Sequence, residues 1–358
     1  MLVYWMVWFA VLILAGFCKA YDFYPSQELT ESRVYHGGLA TFFFLIASIM
    51  LIIVAGCRYY VGADFGAYYK YKNYLDFLPS IKALDEPGIR VIYNIAVLIH
   101  RSGGMCIMAA ATVTLGLELS ALYKNTDNIG FALPLFVFTC WTSCFNGVRQ
   151  DLAVAVLFCG LPALREKNFK KYAFIVFLAF LCHRSAIIMI LVYFIVNRKV
   201  NARNVIILIV ASVIVLLSYD KVYNLVNTVL LDHDVTGQEA YWGTVVNIYR
   251  VLTYIVPAAF FLYMYRYAEK DCLTCFYLNL LLIHAIVGAV TMNSAALARM
   301  VMYTMPFAVV AMAELLKRLS GNNRRIYSCG IVILFWIMQI YEVANSNSLS
   351  PFRLKWFW

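Results

Sequence analysis

Long apolar runs separated by short polar segments dominate the chain. A helix needs about 20 mostly apolar residues to cross a bilayer, and ten runs approach that length. They are residues 1–18, 37–57, 103–122, 129–145, 148–164, 204–219, 246–265, 274–292, 298–316 and 326–343. Because apolar residues are continuous within each run, the pattern argues against a transmembrane β-barrel. It predicts an all-α, polytopic transmembrane helical bundle that forms a single domain over residues 1–358.

Residues 172–196 interrupt this pattern with a polar centre, Cys182-His183-Arg184-Ser185. They lie between two basic loops, and a single crossing would put one loop outside, against the preference of Lys and Arg for the cytoplasm. As helices, residues 172–182 and 186–196 each rise only about 16 Å, roughly half of the hydrocarbon core. We predict a hairpin of two short helices with both ends cytoplasmic and His183 near its tip. The alternative is one long span with a buried polar cluster.

Residues 58–102 form one excursion on the outer side in this scheme. Ile89 to Ile99 are apolar but too few to cross the bilayer, and they follow Glu86-Pro87-Gly88. We predict a half-helix that enters the membrane from the outer face. The first run has no basic residue before it and is followed by Lys19, which predicts an uncleaved span with the N-terminus outside.

The composition supports a membrane protein. Hydrophobic residues make up 63% of the 358 residues, charged residues 13%, and the mean hydropathy is +0.76. Soluble domains have roughly 25% charged residues, so a soluble enzyme, a secreted disulfide scaffold and a disordered chain are excluded. The net charge of +10 comes mainly from basic loops such as 165–171 and 317–325, which we predict to be cytoplasmic. The acidic loop 220–245 fits the outer side.

Four arginines at the outer ends of the predicted helices run against this charge preference. They are Arg58, Arg149, Arg250 and Arg299. Arginine stays charged and presents a planar fork of N–H groups that fits phosphate oxygens. We predict that they bind a lipid pyrophosphate. The alternative is that each side chain extends to the lipid headgroups.

Three residues in the same outer region are candidates for a catalytic base: Asp64, Glu86 and His183. A carboxylate or an imidazole can accept the proton of a sugar hydroxyl. Asp64 and Glu86 could equally be ion-pair partners of the arginines, and His183 could be a hydrogen-bonded core residue.

Three further polar residues are predicted to contact the substrate. Asn146 and Gln150 lie at an outer turn, and Tyr303 lies one α-helical turn beyond Arg299, on the same face. The 26 tyrosines and 25 phenylalanines are mostly typical of the membrane interface and the core. A saccharide site would use some of them for stacking.

Several motifs with known chemistry are missing. The chain has no Walker A loop, no G-x-S-x-G and no H-E-x-x-H, which argues against an ATP-driven pump and against hydrolases of those types. The ten cysteines lie mostly in apolar runs, and the pair Cys272 and Cys275 has no second pair or nearby histidine to complete a metal site. Neither a metal nor another cofactor is predicted.

The chain resembles the EpsG-like family of bacterial exopolysaccharide and capsule polymerases, which are related in role to the Wzy O-antigen polymerases. Each motif is short, and their order and spacing over nearly the whole chain carry the resemblance. The motifs are Arg58-Tyr59-x-x-Gly62-x-Asp64 with Tyr68, Glu86-Pro87-Gly88, Asn146-x-x-Arg149-Gln150, Leu181-Cys182-His183-Arg184-Ser185-Ala186, Arg299-x-x-x-Tyr303 and Pro351-Phe352-x-x-Lys355-Trp356-Phe357-Trp358. The chain departs from the family at Cys182, where an aromatic residue is usual, and at Ala63.

The resemblance implies a metal-independent polymerase with a fold like that of GT-C glycosyltransferases. It would join undecaprenyl-pyrophosphate-linked oligosaccharides at the periplasmic face of the inner membrane. The implied partners are that lipid-linked oligosaccharide, the bilayer and a co-polymerase that regulates chain length, with no nucleic acid. Two alternatives remain: a polysaccharide O-acyltransferase, and a lipid-linked saccharide flippase or transporter.

Overall fold

The computed structural model describes residues 1–21, 36–70, 86–201, 203–207, 210, 246–266, 271–319 and 321–356. Regular structure in these ranges is helical, apart from an isolated antiparallel bridge between Arg58 and Leu354. The all-α prediction is therefore confirmed. The acidic loop 220–245 and most of the predicted span 204–219 lie outside the described residues.

The first part of the chain alternates long helices with short ones. Its elements are α1 (Leu2–Tyr21), α2 (Gly38–Gly56), α3 (Phe65–Lys70), α4 (Pro87–Ile99), α5 (Gly103–Asn125), α6 (Ile129–Thr139), a first 3-10 segment (Ser143–Phe145), α7 (Val148–Phe158), α8 (Leu161–Arg165), α9 (Phe169–Cys182), a second 3-10 segment (Arg184–Met189) and α10 (Ile190–Val196).

The second part repeats this alternation. Its elements are α11 (Ile248–Met264), α12 (Cys272–Val290), α13 (Ala295–Ala298), a third 3-10 segment (Arg299–Tyr303), α14 (Met305–Lys317) and α15 (Gly321–Asn345).

Two helices form the centre of the bundle. α6 is buried along nearly its whole length, and α14 is buried from Met305 to Leu316. The helices α1 and α15 pack against α6, and α2 packs against α1 and α5. These three outer helices leave large apolar side chains such as Phe9, Phe42 and Ile337 exposed. Side chains of this kind face lipid in a membrane protein, where an apolar exterior carries no penalty.

Five described helices are long and apolar enough to cross a membrane: α1, α2, α5, α12 and α15. The predicted count of ten spans is not confirmed. The runs 129–145, 148–164 and 298–316 are each interrupted, because helix formation stops at Thr139, at Phe158 and between Ala298 and Met305. Pro162 and Pro306 lie in the first turn of the helix that resumes, where no backbone N–H is required.

The predicted turn at His183 is confirmed. Tyr172 Oη donates to Met189 O at 2.8 Å and Tyr193 Oη donates to Lys167 O at 2.6 Å. These contacts join α9 to the chain that returns beside it. His183 itself has an extended backbone between α9 and the second 3-10 segment. A helix of 13 residues, α4, is found where the half-helix was predicted, and its entry into the membrane from the outer face stays a prediction.

Candidate active site

Glu86 is at the centre of a group of polar side chains. It immediately precedes α4 and is only 5% exposed. Its Oε1 lies 2.5 Å from His183 Nδ1, its Oε2 lies 2.9 Å from Arg149 Nη1, and the backbone N–H of Arg184 donates to it. Burial alone would raise the pKa of Glu86, but the hydrogen bond with His183 and the neighbouring positive charge hold it below its usual value. Glu86 is thus a carboxylate that orients two other side chains.

Arg149 lies in the first turn of α7 and is held on two sides. Its Nε donates to Tyr68 Oη at 3.0 Å, while Nη1 forms the ion pair with Glu86. Two contacts at separate nitrogens fix the plane of the guanidinium group. The Arg149 side chain is nevertheless 36% exposed. Arg149 is therefore oriented by the protein and still accessible.

Asp64 is half-buried at the start of α3, and its backbone carbonyl accepts the N–H of Tyr68. Burial raises the pKa of Asp64 above its usual value, and the charges of Arg299 and Arg149 partly oppose this effect. Both arginines therefore act on this one carboxylate. They come from the third 3-10 segment and from α7, which are far apart in the sequence.

A second group of residues connects the broken helices to each other. Tyr303 is fully buried, and its Oη lies 2.8 Å from the Oγ of Ser185, which is two residues after His183 in the sequence. Gln150 Nε2 donates to Arg299 O at 2.9 Å, and its side chain also hydrogen-bonds to Tyr303. These contacts join the turn at His183 to the third 3-10 segment.

The predicted roles of Gln150 and Tyr303 in substrate binding are not supported by this geometry. Both side chains make protein contacts that position Arg299 and the turn at His183. The prediction that Tyr303 shares a helix face with Arg299 is wrong, because the segment is a 3-10 helix. With three residues per turn, side chains four apart diverge by about 120°.

Asn146 also has a positioning role in place of the predicted substrate contact. Its Oδ1 accepts the backbone N–H of Ala63 at 2.7 Å. The preceding Gly62 has φ +102°, and a Cβ there would lie 2.0 Å from Phe145 O. This close approach requires glycine. Asn146 and Gly62 together fix the backbone that leads into Asp64.

Arg58 does not join this group, contrary to the prediction that it binds pyrophosphate. It is 4% exposed, and its guanidinium group donates to Ala55 O at 2.6 Å and to Cys144 O at 3.1 Å. The same group lies over the ring of Phe145, 5.1 Å from its centroid. Since these carbonyls belong to α2 and to the first 3-10 segment, Arg58 connects two elements of the fold.

Arg250 lies at a different helix contact. It forms an ion pair with Glu342, which joins the start of α11 to α15. The adjacent Asn247 Nδ2 donates to Tyr341 Oη at 2.9 Å, across the same contact. The structure thus places Arg250 at the α11–α15 contact and not in the group around Glu86, and its role at a pyrophosphate site stays a prediction.

We call Asp64, Tyr68, Glu86, Arg149, His183 and Arg299 the arginine–carboxylate cluster. Tyr68 was part of the family motif in the sequence but was given no role at the site, although its spacing of four residues from Asp64 is a usable signal. No group of three or more metal-ligating side chains occurs among the described residues. Chemically, the cluster combines two arginines that can bind an anion with carboxylates and an imidazole that can accept a proton.

The comparisons with known proteins give one family. No curated protein and no solved structure matches the chain. The model of the EpsG family matches residues 41–354. This match includes every member of the arginine–carboxylate cluster and extends to Leu354, the partner of Arg58. The chain belongs to the EpsG family.

Proposed function

We propose that this protein polymerises undecaprenyl-pyrophosphate-linked oligosaccharide repeat units at the outer face of the bacterial inner membrane. EpsG family membership indicates a polysaccharide polymerase type of role. The observation that carries the finer proposal is that Tyr68 joins Asp64 to Arg149: its backbone N–H donates to Asp64 O at 3.3 Å, and its Oη accepts Arg149 Nε at 3.0 Å. The charge of Arg299 acts on the same carboxylate. A base next to two anion-binding side chains suits transfer from a pyrophosphate donor.

In the proposed reaction, a hydroxyl of the incoming lipid-linked unit attacks C1 of the reducing-end sugar on the growing chain. A new C1–O bond forms, the bond from C1 to the pyrophosphate oxygen breaks, and undecaprenyl pyrophosphate leaves with that electron pair. Asp64 accepts the proton of the attacking hydroxyl. No metal takes part in this scheme.

Arg149 and Arg299 stabilise the negative charge that develops on the leaving pyrophosphate. Donors that are oriented before the reaction lower the barrier most, because they need no reorganisation when charge develops. Arg149 meets this condition through its contacts with Glu86 and Tyr68. Gln150 serves Arg299 less directly, by fixing its backbone carbonyl.

Glu86 and His183 form a pair whose members orient each other and Arg149. Their 2.5 Å contact crosses from the start of α4 to the tip of the α9–α10 hairpin. His183 is the second candidate for the base, with Glu86 as its positioning residue.

The variant Asp64→Asn tests whether Asp64 or His183 is the base. If Asp64 is the base, the variant slows turnover and spares donor binding. Loss of donor binding or of expression would make Asp64 a structural partner of the arginines.

The decisive experiment uses the purified protein in lipid nanodiscs with a defined lipid-linked repeat unit. We expect a ladder of polymer without added nucleotide sugar and in the presence of a metal chelator. Transfer of an acyl group, or movement of the lipid-linked unit across vesicle membranes without polymer, would replace the proposal with an acyltransferase or a flippase. A co-polymerase would change the length of the ladder and not its presence.

The proposed side of the membrane is tested separately by cysteine labelling on a cysteine-free background. Ala67 on α3 and Asn168 before α9 are both exposed. An impermeant maleimide applied to intact spheroplasts is expected to label Ala67→Cys and to leave Asn168→Cys unlabelled. Labelling of position 168 would reverse the proposed orientation.

A further inference from the structure

Four aromatic rings cluster on the segment that carries Asp64. Tyr59 and Tyr60 have ring centroids 4.8 Å apart, Tyr60 and Phe65 are 5.2 Å apart, and Phe65 stacks on Tyr69 at 5.3 Å. We call these four residues the aromatic platform. It begins three residues after α2, and its residues lie on both sides of Asp64 in the sequence. The rings and the proposed base therefore share one short stretch of backbone.

The C-terminal tail, residues 346–356, holds the aromatic platform in place. Tyr59 N donates to Arg353 O at 2.9 Å, and Lys355 N donates to Cys57 O at 2.8 Å. Lys355 Nζ lies 4.6 Å from the centroid of the Tyr59 ring, which is a cation–π contact. The C-terminal tail therefore fixes Tyr59, the first ring of the platform, before any ligand arrives.

Tyr60 is the member whose conformation calls for a functional explanation. Its φ is +52°, a left-handed conformation that is unfavourable for a bulky side chain. Its side chain is also 56% exposed, although it is aromatic. Backbone strain of this kind concentrates at ligand sites. Neither the backbone strain nor the exposed ring is expected to stabilise the fold.

We propose that the aromatic platform binds a sugar ring of the oligosaccharide that is presented to Asp64; this inference rests on the proposed function. One face of a pyranose consists of C–H groups, which pack on an aromatic ring, while its hydroxyls lie at the edge. Tyrosine combines an apolar face with a polar tip and so matches both parts. The platform binds the saccharide, and Arg149 and Arg299 bind the pyrophosphate.

A tyrosine at the membrane interface could alternatively contact lipid headgroups. Tyr249 provides the matched control, because it is 64% exposed at the start of α11 and makes no ring contact with the platform. The test variant is Tyr60→Gly, which removes the ring and also the strain, since glycine adopts positive φ readily. Tyr60→Asn serves the same purpose, because Asn tolerates this conformation. Tyr60→Phe keeps the ring.

The experiment measures binding of the lipid-free repeat-unit oligosaccharide, released from the cell's own polymer by mild acid, to protein in nanodiscs. Saturation-transfer NMR gives the affinity without requiring turnover. We expect Tyr60→Gly and Tyr60→Asn to weaken binding about tenfold, the equivalent of about 1.4 kcal/mol. Tyr60→Phe keeps the ring and loses only the hydroxyl, so it is expected to weaken binding less than Tyr60→Gly does. Tyr249→Ala is expected to stay within about twofold of the unsubstituted protein.

The platform proposal is overturned if Tyr60→Gly binds the oligosaccharide as tightly as the unsubstituted protein does. It is also overturned if the unsubstituted protein does not bind the oligosaccharide, even if polymer forms. Binding that depends on Tyr60 in a protein that forms no polymer would support the platform and reject the proposed function. Thermal unfolding of each variant is measured beside binding. Weakened binding without a lower unfolding temperature shows that the ring acts on the ligand and not on the fold.

Discussion

Two buried glutamates, near opposite ends of α14, have closely similar partners. Glu86 is close to Tyr303, just before α14 begins, and pairs with Arg149 at 2.9 Å and His183 at 2.5 Å. Glu314, in the last turns of α14, pairs with Lys317 at 2.8 Å and accepts the hydroxyl of Thr126 at 2.7 Å. Each carboxylate thus pairs with a basic side chain and hydrogen-bonds to one further side chain, and Glu86 also accepts the backbone N–H of Arg184.

The surroundings of the two glutamates differ. Lys317 is three residues from Glu314 on the same helix, and Thr126 follows directly after α5, so regular helix ends supply these contacts. Glu86, in contrast, contacts residues beside two breaks in the helices, after the first 3-10 segment and before the second. A broken helix loses backbone hydrogen bonds that are costly to lose in a membrane. The comparison teaches that an ion pair alone is no guide to function, and that the feature which sets Glu86 apart from Glu314 is its position at several helix breaks.

The largest expected effect comes from exchanging arginine and lysine, in the arginine–carboxylate cluster on one side and beside Glu314 on the other. Arg149→Lys and Arg299→Lys keep the charge and lose the planar fork, so we expect polymerisation to fall roughly a hundred- to thousandfold, as when a donor to developing charge is removed. Lys317→Arg, at the other end, should leave the rate unchanged. Polymer yield and chain length, normalised to the amount of inserted protein, provide the measurement. Normal chain lengths in both arginine variants would refute the proposed pyrophosphate site.

Replacing each glutamate with glutamine separates an effect on activity from an effect on stability. Glu86→Gln and Glu314→Gln each leave a basic partner without its carboxylate, and a buried group left unsatisfied costs roughly 1–3 kcal/mol. We therefore expect both variants to unfold at lower temperature in detergent. Only Glu86→Gln should also lose activity per folded molecule, because it releases Arg149 and His183. Equal specific activity in the two variants would contradict the proposal that Glu86 has a functional role and Glu314 has none.

The same contrast explains how much could be predicted from the sequence. The long helices, the half-helix and the turn at His183 were predictable because they depend on local apolar length and on one polar interruption. The breaks after Thr139, after Phe158 and at Arg299 were not predicted, because the runs that contain them are apolar enough to resemble continuous spans. Membership of the cluster at Asp64, Glu86, Arg149, His183 and Arg299 was predicted. The roles of Arg58 and Asn146 were not, since a hydrogen bond to a backbone group leaves no sequence signal.

A smaller effect is expected from removing a single tyrosine hydroxyl, either at Tyr303 or at Tyr277. Tyr303→Phe loses the 2.8 Å contact with Ser185, and a hydrogen bond of this type contributes roughly 0.5–1.5 kcal/mol. Because that contact holds the turn at His183, we expect a rate reduction of up to about tenfold. Tyr277→Phe removes a longer contact, 3.5 Å from Arg165, and should leave the rate unchanged. Steady-state kinetics on the two variants test this difference, and an equal reduction in both would assign Tyr303 to general stability.

The smallest effect concerns the pH dependence of the rate. Asp64 must be a carboxylate to accept a proton, so activity is lost as the pH falls through its pKa. Burial places this pKa above the usual value of 3.8, and Arg299 and Arg149 lower it from the value that burial alone would give. Arg299→Gln removes one of these charges and should move the acidic limb of the residual rate to higher pH. Arg318→Gln, which removes a charge paired with Asp271, is the control and should leave the limb in place. An acidic limb that Arg299→Gln does not move, or that persists in Asp64→Asn, would exclude Asp64 as the group that titrates and make His183 the base.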